Sequence, residues 1–535
     1  MHVTRFATGT GLRTLLVATL TLGLMAALGA GTAWAKPLKV ESENIVLYGD
    51  VKPEFATDFV RQMELYRRMI FTLAGKDGAP PDPQKLTIHG FESVRDVQRF
   101  AGRDNIAGIY TDGVNGPVFL SPIRKRKRGS DWANKVGLHE YSHHVLHAVV
   151  VDRFPYWYNE GFAEYLSTLQ ITDERITIGA PTAQHAENFN PRLGWLDPGV
   201  VLRAINGYPS FNGNKRAQEA SLGQFYAQSW LYVHYMQSHP ELGSKLPNYL
   251  AALKRGTQPI RAFEESYGMS VADFHALAEK YWDNNAFGVV AFAPQGNFLE
   301  VDVRATDITA DALALAEVRG QVPFLNDENV NSFAKRVERA IAAYPDDPFI
   351  QAARADALVR QERYAEAERV AEAALAAAPD DLGVVRTLSD ARFHRLQEGG
   401  ANASLSEHDL RPLPTGPAFD TMVRGFERVL ETAPRDEIAT THMLSAYAFS
   451  DAPLTEAARQ AMGAVEDAML TPDPGTALEL AAFQLRDGRA ARACRYFNYA
   501  NTAARNMKSK DRKRIQARLD HVTAMARGQC AGTGS

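Results

Sequence analysis

The stretch His139-Glu140-Tyr141-Ser142-His143 decides how the rest of the chain reads. On a helix, residues four apart lie one turn above each other on one face, so both imidazoles can reach a single metal ion. Glu140 is rotated by roughly 60 to 100° from that face at about 3.6 residues per turn. Its carboxylate therefore reaches a water beside the ion rather than the ion itself. The flanks Trp132 to Leu138 and Val145 to Val150 carry a helical apolar pattern through the motif, as ligands buried on a rigid element require. In a chain of this composition the pattern is expected roughly 0.02 times by chance. His143 and His147 are also four apart, but only the pair His139/His143 has a glutamate in the base position. His144 and His147 are read as packing or supporting residues.

The pattern is H-E-x-x-H, the metallopeptidase arrangement in which a metal-acidified water loses a proton to the glutamate. A metzincin continuation needs glycine at Leu146 and histidine at Val149, and the inverted motif needs H-x-x-E-H; neither is present. Downstream, Trp157-Tyr158-Asn159-Glu160-Gly161-Phe162-Ala163-Glu164 places Glu160 in the first turn of a second helix, after the loop that carries Pro155. Asn159-Glu160-Gly161-Phe162-Ala163 resembles the second-helix signature of the gluzincin metallopeptidases, the group of thermolysin-like enzymes and zinc aminopeptidases. The resemblance implies a Zn2+ ion held by His139, His143 and Glu160, with Glu140 as general base. Such a donor set leaves one position of a four-coordinate zinc open, which a catalytic site needs. Glu164, one turn beyond Glu160, is placed to accept a hydrogen bond from the non-ligating nitrogen of His139. Gly161 and Ala163 are small enough to let the second helix approach the first closely. The bland alternative is that Glu160 and Glu164 form a solvated helix face.

At the start of the chain, Arg5 and Arg13 precede an apolar run from Leu15 to about Leu28, and Ala33-Trp34-Ala35 is a small-x-small box. Residues 1–35 therefore read as a signal peptide cleaved after Ala35, which predicts a periplasmic or secreted protein. No later run reaches ~18 consecutive apolar residues, so no transmembrane segment is expected in the mature chain. The net charge of -4 argues against nucleic acid as a partner. Two cysteines, Cys494 and Cys530, are too few for a disulfide framework, but in an oxidising compartment they can pair and tie down the C-terminal end.

The expected fold class is α+β: a gluzincin-type domain over 36–285, with a small N-terminal sheet and a helical lobe, then an all-α solenoid. Strands are predicted at 44–48 and 85–89, a helix at 54–73, and a hairpin at 108–120 turning at Asp112-Gly113. By the resemblance, strand 117–120 is the exposed edge that pairs with an extended substrate, making Val118 and Phe119 substrate-binding. Arg124-Lys125-Arg126-Lys127-Arg128 reads as a solvated loop, with recruitment of an anionic partner as the rival, and Asp131 caps the motif helix. Residues 171–218 look irregular and suit a lid or wall. From Ser221 a helix begins whose start resembles an aminopeptidase segment, which implies that Tyr226 stabilises the oxyanion; His234 is the rival for that role. Helices at 242–255, 258–267 and 270–284 complete the lobe. Residues 286–308 read as a connection with short strands at 289–292 and 298–301.

From about 309 to 535, alanine and charged residues dominate. Tyr344-Pro345-Asp346-Asp347 recurs as Ala378-Pro379-Asp380-Asp381, 34 residues later, with Ala433-Pro434 and Thr471-Pro472-Asp473 as later, degenerate ends, the former after a Gly/Ser/Pro-containing insertion around 398–417. Ala355, Ala367 and Ala374 fall where paired helices need small side chains. The region resembles about four tetratricopeptide units, which implies a concave face for a protein partner. The functional expectation is a zinc metallopeptidase acting on a peptide or protein substrate. The alternative is a non-catalytic, peptide-binding or regulatory scaffold built on the repeats.

Overall fold

The computed structural model describes residues 36–530 apart from 77–79, 82–83, 104–105, 112–115, 124–131, 150–153, 190–193, 206, 210, 286, 322–329, 400–412, 434–435, 469–473 and 508. The leader reading, the Asp112-Gly113 turn, the basic run 124–128, the Asp131 cap, most of the insertion around 398–417, Pro434 and the repeat end at 471–473 lie outside the described residues, as does the His147 side chain.

A six-stranded sheet is built from β1 (Leu38–Glu41), β2 (Ile45–Gly49), β3 (Leu86–Phe91), β4 (Ile109–Thr111), β5 (Val118–Pro122) and β9 (Arg304–Asp307), in the order β4-β5-β3-β2-β1-β9. β2, β3 and β5 run parallel and the outer pairings are antiparallel. Helix α1 (Pro53–Leu73) links β2 to β3, and α2 (Val94–Ala101) follows β3. β5 has both faces covered: Val118 and Leu120 pack with Val97 and Phe100 of α2, whereas Phe119 faces the main core with Phe59 and Met63 of α1. That two-sided burial explains the unbroken apolar run Val-Phe-Leu.

The expected substrate edge is corrected by this order. β5 lies between β3 and β4, and Val118 and Phe119 are 3% and 1% exposed, so neither presents a free strand edge. The hairpin pairing itself stands, with Thr111 opposite Val118. The outer strand is therefore β4, whose pairing partners the local alternation of residues does not reveal.

The motif helix α3 (Trp132–Val149) lies against α1 and the β4/β5 hairpin. Gly137 makes room for α1: a Cβ there would meet the Phe59 ring at 2.9 Å. Tyr66 and Ser142 share a 2.6 Å hydrogen bond across the same contact, and Ser142 donates back to the Leu138 carbonyl at 2.7 Å. Next comes α4 (Tyr156–Leu166), then a small second sheet of β6 (Gln170–Ile171), β7 (Ile176–Ile178) and β8 (Val290–Phe292). Short helices α5 (Ala183–Asn188) and α6 (Pro198–Leu202) precede α7 (Lys215–Ser238), and α8 (Pro240–Gly243), α9 (Leu246–Lys254), α10 (Pro259–Tyr267) and α11 (Val271–Asp283) complete the helical lobe.

Gly161 does bring two helices together, but they are α4 and α7 rather than α4 and α3. A Cβ at Gly161 would lie 2.3 Å from the Ser229 carbonyl oxygen, so the two backbones touch at that point. The strand expected at 298–301 is instead a turn, held to α1 by Arg68 Nη1, which donates to the carbonyls of Phe298 and Glu300 at 2.8 and 2.7 Å. Strand structure resumes at β9, which pairs with β1 and returns the chain to the first sheet.

Beyond β9 the chain is helical: α12 (Ala310–Gln321), α13 (Val330–Ala343), α14 (Pro348–Arg360), α15 (Tyr364–Ala377), α16 (Leu382–Gly399), α17 (Pro417–Thr432), α18 (Glu437–Ala448), α19 (Glu456–Ala468), α20 (Pro474–Arg486), α21 (Ala490–Asn506) and α22 (Ser509–Ala526). The 34-residue recurrence marks helix starts. Asp347 accepts from Ile350 N–H and Asp381 from Val384 N–H, each leaving an orphan donor satisfied. Asp436 does the same for Ala439. Ala355, Ala367 and Ala374 are buried between helices, where larger side chains would separate them. Cys494 of α21 and Cys530 form a disulfide. No helix among the described residues is long and apolar enough to cross a membrane.

Candidate metal centre

α3 and α4 bring His139, His143 and Glu160 together. Glu160 Oε2 lies 3.0 Å from His139 Nε2 and 3.7 Å from His143 Nε2, and one ligand atom from each residue falls within 4.8 Å of the others. Nitrogen and oxygen donors bonded at ~2.0–2.1 Å to a tetrahedral ion are separated by about 3.3–3.4 Å, so the observed spacings fit a zinc-sized ion. The rings stand edge to face at 5.1 Å, with their side chains 11% and 13% exposed. A carboxylate this buried needs positive charge: burial would push Glu160 up, but the two histidines override it and hold it at about 2.

Each histidine is approached from behind. His139 Nδ1 is 3.1 Å from Glu164 Oε1, and the other Glu164 oxygen meets Lys135 Nζ at 2.8 Å and His185 Nε2 at 3.1 Å. Burial opposes the charge on Glu164, but Lys135 and the two histidines hold its carboxyl well below the usual range. The Asn159 amide lies 3.1 Å from His143 Nδ1. The contacting atom is Nδ2; with the amide flipped, Oδ1 would instead accept a hydrogen bond from Nδ1–H, which leaves the Nε2 lone pair for a metal.

Glu140 sits beside the trio and its Oε2 accepts from Tyr110 N–H of β4 at 3.3 Å. Burial raises its carboxyl, against the pull of both imidazoles. That suits a proton acceptor working near neutral pH. The Tyr226 ring of α7 packs edge-on to His139 at 5.9 Å, and its hydroxyl is 3.5 Å from that of Tyr156. Burial, then Glu160, keeps the Tyr226 phenol protonated far above its ordinary range. His234, the rival, is placed elsewhere: its ring bonds the Gly179 carbonyl at 2.8 Å and the Tyr281 hydroxyl at 3.0 Å. His144 bonds the Tyr110 hydroxyl at 3.1 Å and stacks on Tyr141, in keeping with a packing role.

Lys135, Tyr156, Asn159 and His185 are the site residues that motif reading passed over. Lys135 stands four before His139 on the same face, a spacing that could have shown it. His185 enters from α5 and carries no local signal; its place depends on the Thr182 cap, whose backbone N–H donates to His185 Nδ1.

No family model matches this chain. A 105-residue stretch is 26% identical to an uncharacterized protein, YhcO, of Bacillus subtilis (strain 168); the match covers 17% of this chain and 32% of that protein, about a third of its length.

Proposed function

We propose that the chain is a zinc-dependent metallopeptidase of the gluzincin kind, exported by the leader at 1–35 and fused to a tetratricopeptide-like array that grips a protein partner. The observation that carries this reading is the convergence of His139, His143 and Glu160 beside Glu140. When bound there, zinc supplies Lewis acidity, lowering the pKa of water toward ~7 and polarising the scissile carbonyl.

The chain's own groups do the rest. Glu140 takes the proton of the attacking water and delivers it to the leaving amine nitrogen. Tyr226, a neutral phenol beside the ligands, donates to the oxygen that gains charge as the carbonyl becomes tetrahedral. β4, not β5, is the strand that an extended peptide would extend, because it is the outer strand next to Glu140.

Metal content and peptide-library digestion by the full chain, wild type against Glu140→Gln, test the proposal. Bound zinc with cleavage that disappears in the variant supports it. Cleavage that survives removes Glu140 as base, and zinc with no cleavage at all favours the peptide-binding scaffold.

A further inference from the structure

The inner helices of the repeat array carry a second constellation. Asp390 and His394 lie one turn apart on α16, and His442 approaches from α18, the next inner helix. Asp390 Oδ1 is 3.4 Å from His394 Nε2 and 3.2 Å from His442 Nδ1, and the three donor atoms all lie within 4.8 Å of one another. These separations bracket the edge of about 3.3–3.4 Å expected around an ion with ~2.0–2.1 Å bonds. The two rings stand edge to face at 5.3 Å and 90°, nearly the relation of His139 to His143 at 5.1 Å and 83°.

The surroundings fix these groups rather than neutralise them. His442 stacks on Phe393 at 4.0 Å and His394 on Tyr364 at 5.3 Å, so both rings are held in plane. Arg386, one turn before Asp390, pairs first with Asp356 at 3.7 Å and Asp436 at 3.6 Å, with Asp390 a weaker attraction. The side chain of Asp390 is 4% exposed, and its Oδ1 and His442 Nδ1 are buried without an aligned hydrogen bond. A buried carboxylate flanked by two fixed imidazoles is a donor set whose geometry suits a divalent cation.

We propose that Asp390, His394 and His442 bind a divalent transition metal of the zinc class, separate from the His139/His143/Glu160 centre, and that the ion cross-links α16 to α18. Two imidazoles and one carboxylate favour zinc, cobalt or nickel over calcium or magnesium, which prefer oxygen. The cross-link ties α16 to α18, two inner helices separated in sequence by α17 and the insertion.

The test is stoichiometry on the full chain, stripped of metal and titrated with Co2+ and then Zn2+ against a chromogenic chelator. Wild type should take two equivalents and His394→Gln one. His394→Gln gives up the stacking on Tyr364 at a part-exposed position, and Asp390→Asn, which keeps the side-chain shape, gives an independent reading. In a His139→Ala/His143→Ala background one equivalent should remain and should raise the melting temperature. Adding His394→Gln to that background should abolish both the binding and the rise. No metal bound in that background, or an equivalent that both His394→Gln and Asp390→Asn leave in place, overturns the proposal. Either result leaves the reading of the other centre untouched.

Discussion

Glu164 Oε1 stands 3.1 Å from His139 Nδ1, on the far side of the ring from the nitrogen that meets Glu160. One carboxylate thus faces each nitrogen of the imidazole. The Nδ1 contact is within ion-pair reach without an aligned hydrogen bond, and Lys135 and His185 keep Glu164 charged beside it.

From that relationship, Glu164→Gln is expected to weaken zinc binding by about 10–100-fold while the fold persists. Competition titration with a chelator of known affinity measures it. An unchanged affinity would mean that His139 is oriented by packing alone.

Tyr226→Phe removes one hydroxyl from a buried ring and leaves the ring's contact with His139. If the phenol donates to the oxyanion, kcat falls by about 10²–10³-fold with KM little changed. A loss confined to KM would place Tyr226 in ground-state binding. Tyr156→Phe, one hydroxyl further back, should show the smaller effect.

Gly161→Ala should be costly. The added methyl has no space beside the Ser229 carbonyl, so α4 and α7 must separate, and overpacking of this kind costs roughly 1–3 kcal/mol. Denaturant titration followed by tryptophan fluorescence reports it, because Trp157 and Trp230 are buried on these two helices. Glu160 rides on α4, so zinc affinity should fall as well.

His89 makes stability depend on pH. Its ring is buried between Tyr48 and Phe100, and burial, aided by the charge of Arg336, lowers it to about 4. The unfolded chain binds a proton there below about 6.5 and the folded chain only below about 4. The folded state therefore has its full advantage above 6.5 and loses about 3 kcal/mol as pH falls toward 4. Melting curves from pH 7 to 4 should show wild type falling more steeply than His89→Phe; parallel curves would refute the assignment.

What was legible in the sequence was what is local. The i, i+4 histidines, the Asn159–Glu164 stretch and the Pro-Asp-Asp recurrence each lie within one or two helical turns, where spacing dictates direction. The sheet order was not, because a run such as Val118-Phe119-Leu120 is apolar whether it is an edge or a centre, and only pairing with β3 and β4 decides. β9 was missed for the opposite reason: Arg304-Ala305-Thr306-Asp307 is exposed and polar, and its strand character comes from β1. His185 and the partner of Gly161 likewise depend on contacts far away in the chain.

The array that follows β9 is fastened at both limits. At one, α12 lies on β2 and β3; at the other, Cys494 and Cys530 close the final helices into a covalent loop. Stacked repeats ordinarily peel inward from a loose terminal unit, since each is steadied only by its neighbours. The disulfide makes the last two helices open as one unit rather than one after the other.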